Sequence, residues 1–391
     1  LQVLHETEKY LCAISGMERF SFQPAGGTQA IYANMAATRA HHQANGEGDT
    51  RDEVITTIFS HPGNPGAAAT AGYKILTLMP DENGLPDFET LKAVVSKRTA
   101  ALLITNPEDT GLFNPRIKEF TDLVHSFGGL CVYDQANLNG IVGIARAKEA
   151  GFDMLHFNLH KTFSSPHGSQ GPGVGAQGVI AELAKYLPKP TVEISEGKYH
   201  LEYNRPHSIG KVRKFLGVVP VVLRAYAYIR NLGAEGLCQV SETSILNNNY
   251  LIKRMLSEVR GLNLPMASGT NRLDQARFSW QAMKDDTGVG TSDVNRRAVD
   301  FGLQSYFTSH HPQVIAEPFT PEPVETYSKA DIDEYVAIFK QIATEAYSEP
   351  LLVQSAPHRS TITGPIDNAP LLHYDQFACT WRGYKKLGGQ K

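Results

Sequence analysis

From the first residue to about Val179, short apolar runs alternate with segments whose apolar residues recur at three- and four-residue spacing. Runs with little polar interruption read as strands buried on both faces, so the alternation predicts a mainly parallel sheet covered by helices, an α/β arrangement. Strands are expected at residues 74–79, 101–105, 130–133 and 154–158. Helices are expected at 30–42, 87–97 and 116–127, with Gly128-Gly129 ending the last of them. After about Pro190 the pattern changes to longer helices at 220–232, 245–258 and 330–347, with strand-like pieces such as 276–280 between them. This predicts a large domain over residues 1–190, a connecting segment and helix over 191–240, and a small C-terminal α+β domain over 241–355. Residues 356–391 mix Pro, Gly and aromatics without period and read as an extended tail packed on a neighbour. No internal repeat or low-complexity segment interrupts the scheme.

Length and composition narrow the function classes. At 391 residues the chain can bury more than one core. A net charge of -3 with 20% charged residues gives no basic surface for nucleic acid. Cys12, Cys131, Cys238 and Cys379 lie far apart without disulfide-framework or zinc-ligand spacing, which favours a reducing, cytoplasmic setting and no metal. No apolar run approaches the roughly 20 residues that span a bilayer, so a soluble protein is expected. The chain opens at Leu1 in what reads as mid-helix, so preceding residues are expected.

Three segments carry candidate chemistry. Gln23-Pro24-Ala25-Gly26-Gly27-Thr28-Gln29 delivers a glycine-rich turn and a hydroxyl to a helix start, which builds an anion site, although a plain capping Thr reads equally well there. Asp134 ends an apolar strand, and ligands of open α/β sheets bind beyond the carboxyl ends of strands. A carboxylate in that place can keep a pyridine nitrogen protonated. Lys161 follows the next strand about 27 residues later, where desolvation favours imine formation. Phosphate cradle, strand-end acid and strand-end lysine in this chain order predict a pyridoxal 5'-phosphate enzyme of the aspartate-aminotransferase-like fold, fold type I. Two other patterns carry less. Gly173-Val174-Gly175-Ala176-Gln177-Gly178 fits a dinucleotide-binding fingerprint, but a Pro- and Ser-rich segment precedes it where a strand should be and no sheet is expected after it. His156 and His160, four apart on a strand and loop, lack a third metal ligand.

The segment Phe157-Asn158-Leu159-His160-Lys161-Thr162-Phe163, followed by Pro166-His167-Gly168 and Gly171-Pro172-Gly173, resembles the P-protein of the glycine cleavage system, specifically the cofactor-carrying subunit 2 of its two-subunit bacterial form. Similar matches run along nearly the whole chain: Thr105-Asn106-Pro107, Gly111-Leu112-Phe113, Tyr203-Asn204-Arg205-Pro206 and Ser355-Ala356-Pro357-His358. The resemblance implies that Lys161 holds the cofactor as a Schiff base, Asp134 pairs with the pyridinium nitrogen and His61 stacks on the ring. It places Gly27, Thr28 and Gln29 at the phosphate, with Ala136 and His160 beside the cofactor. It also implies decarboxylation of glycine, transfer of the aminomethyl group to the lipoyl arm of an H-protein, and a homo-oligomer or a hetero-oligomer with a companion subunit 1.

Departures from the family pattern cluster near these residues. Its Asp-Gly-Ala is Asp134-Gln135-Ala136 here, its four-glycine loop is Gly168-Ser169-Gln170-Gly171, and its small hydroxyl positions after Asn-Pro are Glu108-Asp109. Added volume at Gln135, Ser169 and Gln170 and added carboxylates at Glu108 and Asp109 predict a poor glycine decarboxylase unless a cation such as Arg224 compensates. The alternative is a divergent pyridoxal-phosphate enzyme applying the same decarboxylation or carbanion chemistry to another amino acid. Residues 165–178 and the tail are expected at a subunit interface.

Overall fold

The structure, a computed structural model, describes residues 1–163, 172–267, 269–303, 309–311, 313–358 and 381–386. Strands β1 (Arg19–Ser21), β2 (Glu53–Thr57), β3 (Lys74–Leu78), β4 (Thr99–Thr105), β5 (Leu130–Gln135), β6 (Met154–Asn158) and β7 (Gly175–Val179) form one seven-stranded sheet in the order β1-β7-β6-β5-β4-β2-β3. Only β7 runs against the others. Helices α1 (Gln2–Ser15), α2 (Gly27–Ala44), α3 (Gly63–Thr70), α4 (Phe88–Val94) and α5 (Ile117–Ser126) precede or connect the first five strands.

Successive side chains of a strand point to opposite faces, so an apolar run covered on both faces feeds two cores at once. In β4, Leu102 and Ile104 join one cluster with Leu11, Phe120 and Phe157, whereas Ala101 and Leu103 join another with Ile31, Met35 and Leu183. At the end of α5, Gly128 takes φ +79°, and a Cβ there would stand 2.4 Å from Arg51 Nη2. Both facts explain why the predicted stop holds.

Beyond the sheet come a hairpin of β8 (Thr191–Ser195) and β9 (Lys198–Glu202), the helix α6 (Val219–Glu258), β10 (Phe278–Ser279), α7 (Gln281–Thr287), α8 (Thr291–Asp300), β11 (Pro318–Phe319), α9 (Lys329–Ser348) and α10 (Pro350–Gln354). A third cluster gathers Met255, Phe278, Trp280, Phe319, Val336, Phe339 and Ile342. The N-terminus of α9 is fixed by a reciprocal cap in which the Asp331 amide donates to Ser328 Oγ and the Ser328 amide to Asp331 Oδ2.

The structure adds to the sequence reading at three places. The strand β2 was not foreseen, because Glu53, Thr56 and Thr57 interrupt its apolar pattern although all five residues are buried. The helix expected at 220–232 ends as expected, because Gly233 (φ 64°) breaks α6 there, and the helix expected at 245–258 begins earlier, directly after that break. The added stretch, residues 234–244, carries Gly, Ser and Thr and has low helix propensity. Tertiary packing overrides that: Leu237 and Val240 enter the first cluster, Leu251 and Met255 the third, and Ser241 Oγ donates to the Val142 carbonyl at 2.9 Å. Finally, the glycine-rich segment is itself part of a sheet strand, since residues 175–179 are β7, paired with both β1 and β6, which leaves no strand-turn-helix for a dinucleotide-binding fingerprint.

Candidate active site

The parallel register places Thr105, Asp134 and His156 on one rung of β4, β5 and β6, and Gln177 of β7 lies opposite His156. All lie near the carboxyl ends of the parallel strands. Asp134 is buried, and its Oδ1 accepts from the Ala136 amide at 3.0 Å. His156 Nε2 stands 3.3 Å from the same oxygen, and neither ring nitrogen of His156 has a hydrogen-bond partner in good geometry among the described residues. Burial, the largest influence, pushes the His156 imidazole pKa down against the pull of Asp134, which favours a neutral ring beside the carboxylate.

The start of α2 comes up against this pair. A Cβ on Gly27 would lie 3.0 Å from Asn158 Nδ2 and 3.2 Å from His156 Nε2, so a glycine lets the helix end approach the strand ends. The first intrahelical bond runs from the Ala30 amide to the Gly26 carbonyl, so the amides of Gly27, Thr28 and Gln29 are the ones a helix leaves for an anion. Next to Gly26 a Cβ would meet nothing within 4 Å, which leaves room at the turn. The Gln29 side chain is already committed: its Oε1 accepts from the Ala25 amide at 2.6 Å and its Nε2 donates to Val212 at 3.4 Å. Of Gln29, the backbone amide is thus the group left at the helix start.

His61 lies on the loop between β2 and α3 and accepts from the Gly63 amide at 2.9 Å. A Cβ on Gly63 would meet His61 Nδ1 at 2.8 Å and Thr28 Oγ1 at 2.9 Å, which brings the loop and the helix start together. The His61 residue is exposed, yet desolvation is the largest influence on its imidazole and pushes the pKa down. Lys161 follows β6, half-buried, with its amide bonded to the Asn158 carbonyl at 2.8 Å. Its charge acts on His61, His156 and Asp274. The Ala136 carbonyl accepts from the Asn158 amide at 3.3 Å and so ties the ends of β5 and β6. His160 Nδ1 accepts from the Val174 amide at 3.2 Å, which fixes the turn that carries Lys161 to the entry of β7.

The structure thus brings together Gly27, Thr28, His61, Asp134, Ala136, His156 and Lys161. Ser169, Gln170 and the first part of the segment expected at an interface, like most of the tail, lie outside the described residues.

The expected repulsion by Glu108 and Asp109 is corrected. Glu108 is 2% exposed, and burial pushes its carboxyl up to about 8, with the Thr57 hydroxyl donating to it. At neutral pH it is mostly protonated. Burial also works against ionising Asp109, but the hydrogen bond from His310 and the charge of Arg277 outweigh it, and its pKa is lowered. Asp109 Oδ2 lies 3.1 Å from Arg277 Nη2 and 3.0 Å from His310 Nδ1. The cation paired with Asp109 is Arg277.

Sequence reasoning weighed His156 only as a metal ligand and missed Arg277 and His310. For His156 a signal existed: Met154, His156 and Asn158 share one face of β6, the face on which Met154 packs in the cluster with α2 residues Ile31 and Met35. For Arg277 and His310 no local pattern points to Asp109. A metal-like grouping of His125, Cys131 and Asp153 sits at the opposite, amino end of β5, where Asp153 Oδ2 is already held by the Cys131 amide at 2.7 Å and His125 Nε2 at 2.8 Å.

A mainly parallel sheet of this order, with an acid at the carboxyl end of one strand and a lysine just past the end of the next, defines a fold-type I protein of the aminotransferase class, and residues 25–176 match the class-V aminotransferase family. That family and fold imply pyridoxal phosphate. The chain is 43% identical over 389 residues to the probable glycine dehydrogenase (decarboxylating) subunit 2 of Pyrococcus furiosus, covering 99% of this chain and 76% of that one. It is 41% identical over 381 residues to the protein of the same name from Halalkalibacterium halodurans, covering 96% and 76%. The chain belongs to the glycine dehydrogenase (decarboxylating) subunit 2 family. Among solved structures the fold is similar to a glycine decarboxylase (P-protein) of the glycine cleavage system in inhibitor-bound form, with a TM-score of 0.72 and 18% identity over 88% of this chain and 76% of that one. It is also similar to a NifS-like protein, with a TM-score of 0.65 and 15% identity over 88% of each chain.

Proposed function

We propose that this chain is the pyridoxal-phosphate-carrying subunit of a glycine-decarboxylating enzyme that passes the aminomethyl group to a lipoylated H-protein, acting with a companion subunit 1. The observation that carries the reading is the meeting of Asp134, Lys161 and His61 with the glycine-lined start of α2. The donor set fits the cofactor group by group. The α2 amides and the Thr28 hydroxyl suit a phosphate, the Lys161 amine suits an aldehyde, Asp134 suits a protonated ring nitrogen, and the exposed His61 ring suits stacking. Gly27 is fitting because a Cβ would press on Asn158 and His156.

When bound, pyridoxal phosphate supplies an electron-accepting ring that stabilises the charge left as carbon dioxide departs. The protein's part is electrostatic and positional. Asp134 is oriented by the Ala136 amide and faces a neutral His156, so no cationic imidazole competes with a ring N–H for its charge. Glu108, mostly protonated, and Asp109, neutralised by Arg277, do not present the double negative charge that would repel a substrate carboxylate. The electrostatic objection to glycine therefore falls, and the volume of Gln135 remains.

Two further readings belong here. The small domain at 241–355 is supported by a separate core around Trp280 and Phe339, while residues of the connecting segment such as Val221 and Leu237 pack in the cluster under the sheet. A cytoplasmic location is supported by the free thiols Cys12, Cys131 and Cys238. No helix among the described residues is long and apolar enough to cross a membrane.

The test is exchange of labelled carbon dioxide into glycine with purified H-protein and companion subunit supplied. We expect exchange that requires the H-protein and vanishes in Lys161→Ala. Absence of exchange with glycine, together with carbon dioxide release from a different amino acid, would transfer the reading to the divergent enzyme.

A further inference from the structure

We propose that His310, oriented by Asp109, is a proton-transfer residue of this active site, donating to the substrate carbon from which carbon dioxide has left. The proposal rests on the functional reading above and adds to it a residue with its own role. Its basis is a line of contacts that runs from the interior to the site and joins three remote parts of the chain. Arg277, just before β10, is buried with 1% of its surface exposed, its guanidinium 5.5 Å from the centre of the Phe59 ring. Its Nη2 meets Asp109 Oδ2 at 3.1 Å, whereas Nε and Nη1 have no hydrogen-bond partner among the described residues. A cation desolvated to this degree is costly unless its one anionic partner stays ionised. Asp109 is therefore held as a carboxylate, and its own amide is tied to the Phe59 carbonyl at 3.3 Å.

The same Oδ2 lies 3.0 Å from His310 Nδ1, and the exposed fractions of the side chains grow outward, from 1% for Arg277 to 19% for Asp109 and 22% for His310. The His310 ring then meets the His61 ring edge-on, with centroids 4.8 Å apart and planes at 78°. A carboxylate on Nδ1 fixes the neutral tautomer with its proton there, which makes Nε2 the nitrogen that gains and loses a proton. This arrangement suits a general acid: Nδ1 is anchored by a carboxylate, and the ring lies beside the residue read as stacking on the cofactor. The charged group Lys161 and the carboxyl of Glu322 act on the same region, Lys161 on His61 and His310 on Glu322.

The step balances without an oxidant. The bond between the α-carbon and the carboxylate breaks and carbon dioxide leaves without the bonding pair. A proton then passes from Nε2 of the protonated imidazole to that carbon, forming a C–H bond, while the former N–H pair remains on Nε2 and Nδ1 keeps its proton. Solvent reprotonates the ring. The product is the corresponding amine, methylamine for glycine, formed when no lipoyl acceptor is supplied.

The experiment has two arms on the full chain. In protein without cofactor, ¹⁵N-histidine spectra are expected to show His310 protonated on Nδ1, and Asp109→Asn to abolish that preference. In protein supplied with pyridoxal phosphate and glycine in heavy water, His310→Gln is expected to retain the cofactor band and the glycine-induced spectral change while monodeuterated methylamine falls about 100-fold. Added imidazole is expected to restore part of that rate to His310→Ala, which a merely structural histidine would not allow. Unchanged amine formation in His310→Gln with normal binding, or a proton on Nε2 in the unmodified protein, would overturn the assignment alone. An unmodified protein that binds neither cofactor nor glycine would contradict the functional reading and the proton-transfer role together.

Discussion

Glu108 and Asp109 follow one another in the chain, and their surroundings push them to opposite protonation states. Asp109 finds Arg277 and His310, while the Glu108 carboxyl accepts from the Thr57 hydroxyl and loses its solvent. Because Glu108 in the folded protein titrates at about 8 against an ordinary value of 4.5, the unfolded chain sheds this proton first as pH rises. Its contribution to stability is fully present below about pH 4.5 and is lost progressively up to about pH 8. Glu108→Gln removes that dependence. Urea denaturation is expected to show little difference from the parent near pH 5 and a gain on the order of 2–4 kcal/mol near pH 9. Equal stability differences at both pH values would show that Glu108 ionises normally. At this scale Lys161 and Asp134 were legible because each stands where an apolar strand ends. The states of Glu108 and Asp109 were not, because the cation that separates them is 168 residues away from Asp109.

The start of α2 is the element on which the cofactor reading leans most. Its glycine-rich turn was legible as a helix start after a turn, but the reason for Gly27 became clear only from the partner surface, Asn158 and His156 of β6. Gly27→Ala is expected to leave the thermal midpoint nearly unchanged and to weaken pyridoxal-phosphate binding about tenfold in an absorbance titration, because the Asn158 side chain must give way beside the anion site. An unaltered affinity would remove the close approach from the account. Other elements were read less well for physical reasons. The polar threonines of β2 hide a fully buried strand, since a pattern-based reading weighs side-chain polarity and cannot see that Thr57 bonds to Ser60 and Glu108. The middle of α6 is held helical by packing between two cores and not by its own propensity.

Across the whole molecule, the alternation of strand and helix up to β7 made the mainly parallel sheet legible, and with it the rule that puts a site beyond the carboxyl ends of its strands. What stayed hidden was the contribution of residues after Pro190. Arg277 reaches the site from between Ala276 and Phe278 of the third core and His310 from a segment further along the chain, and such long-range meetings leave no period in the sequence. Their presence changes the site's charge balance and gives it a candidate acid. All of this depends on the cofactor being held where Asp134, His61 and the α2 amides converge. Borohydride reduction of the protein supplied with pyridoxal phosphate, followed by peptide mass mapping, tests that most directly. The account predicts a single pyridoxyl adduct on Lys161, absent from Lys161→Ala, and an adduct on a different lysine or none at all would contradict it.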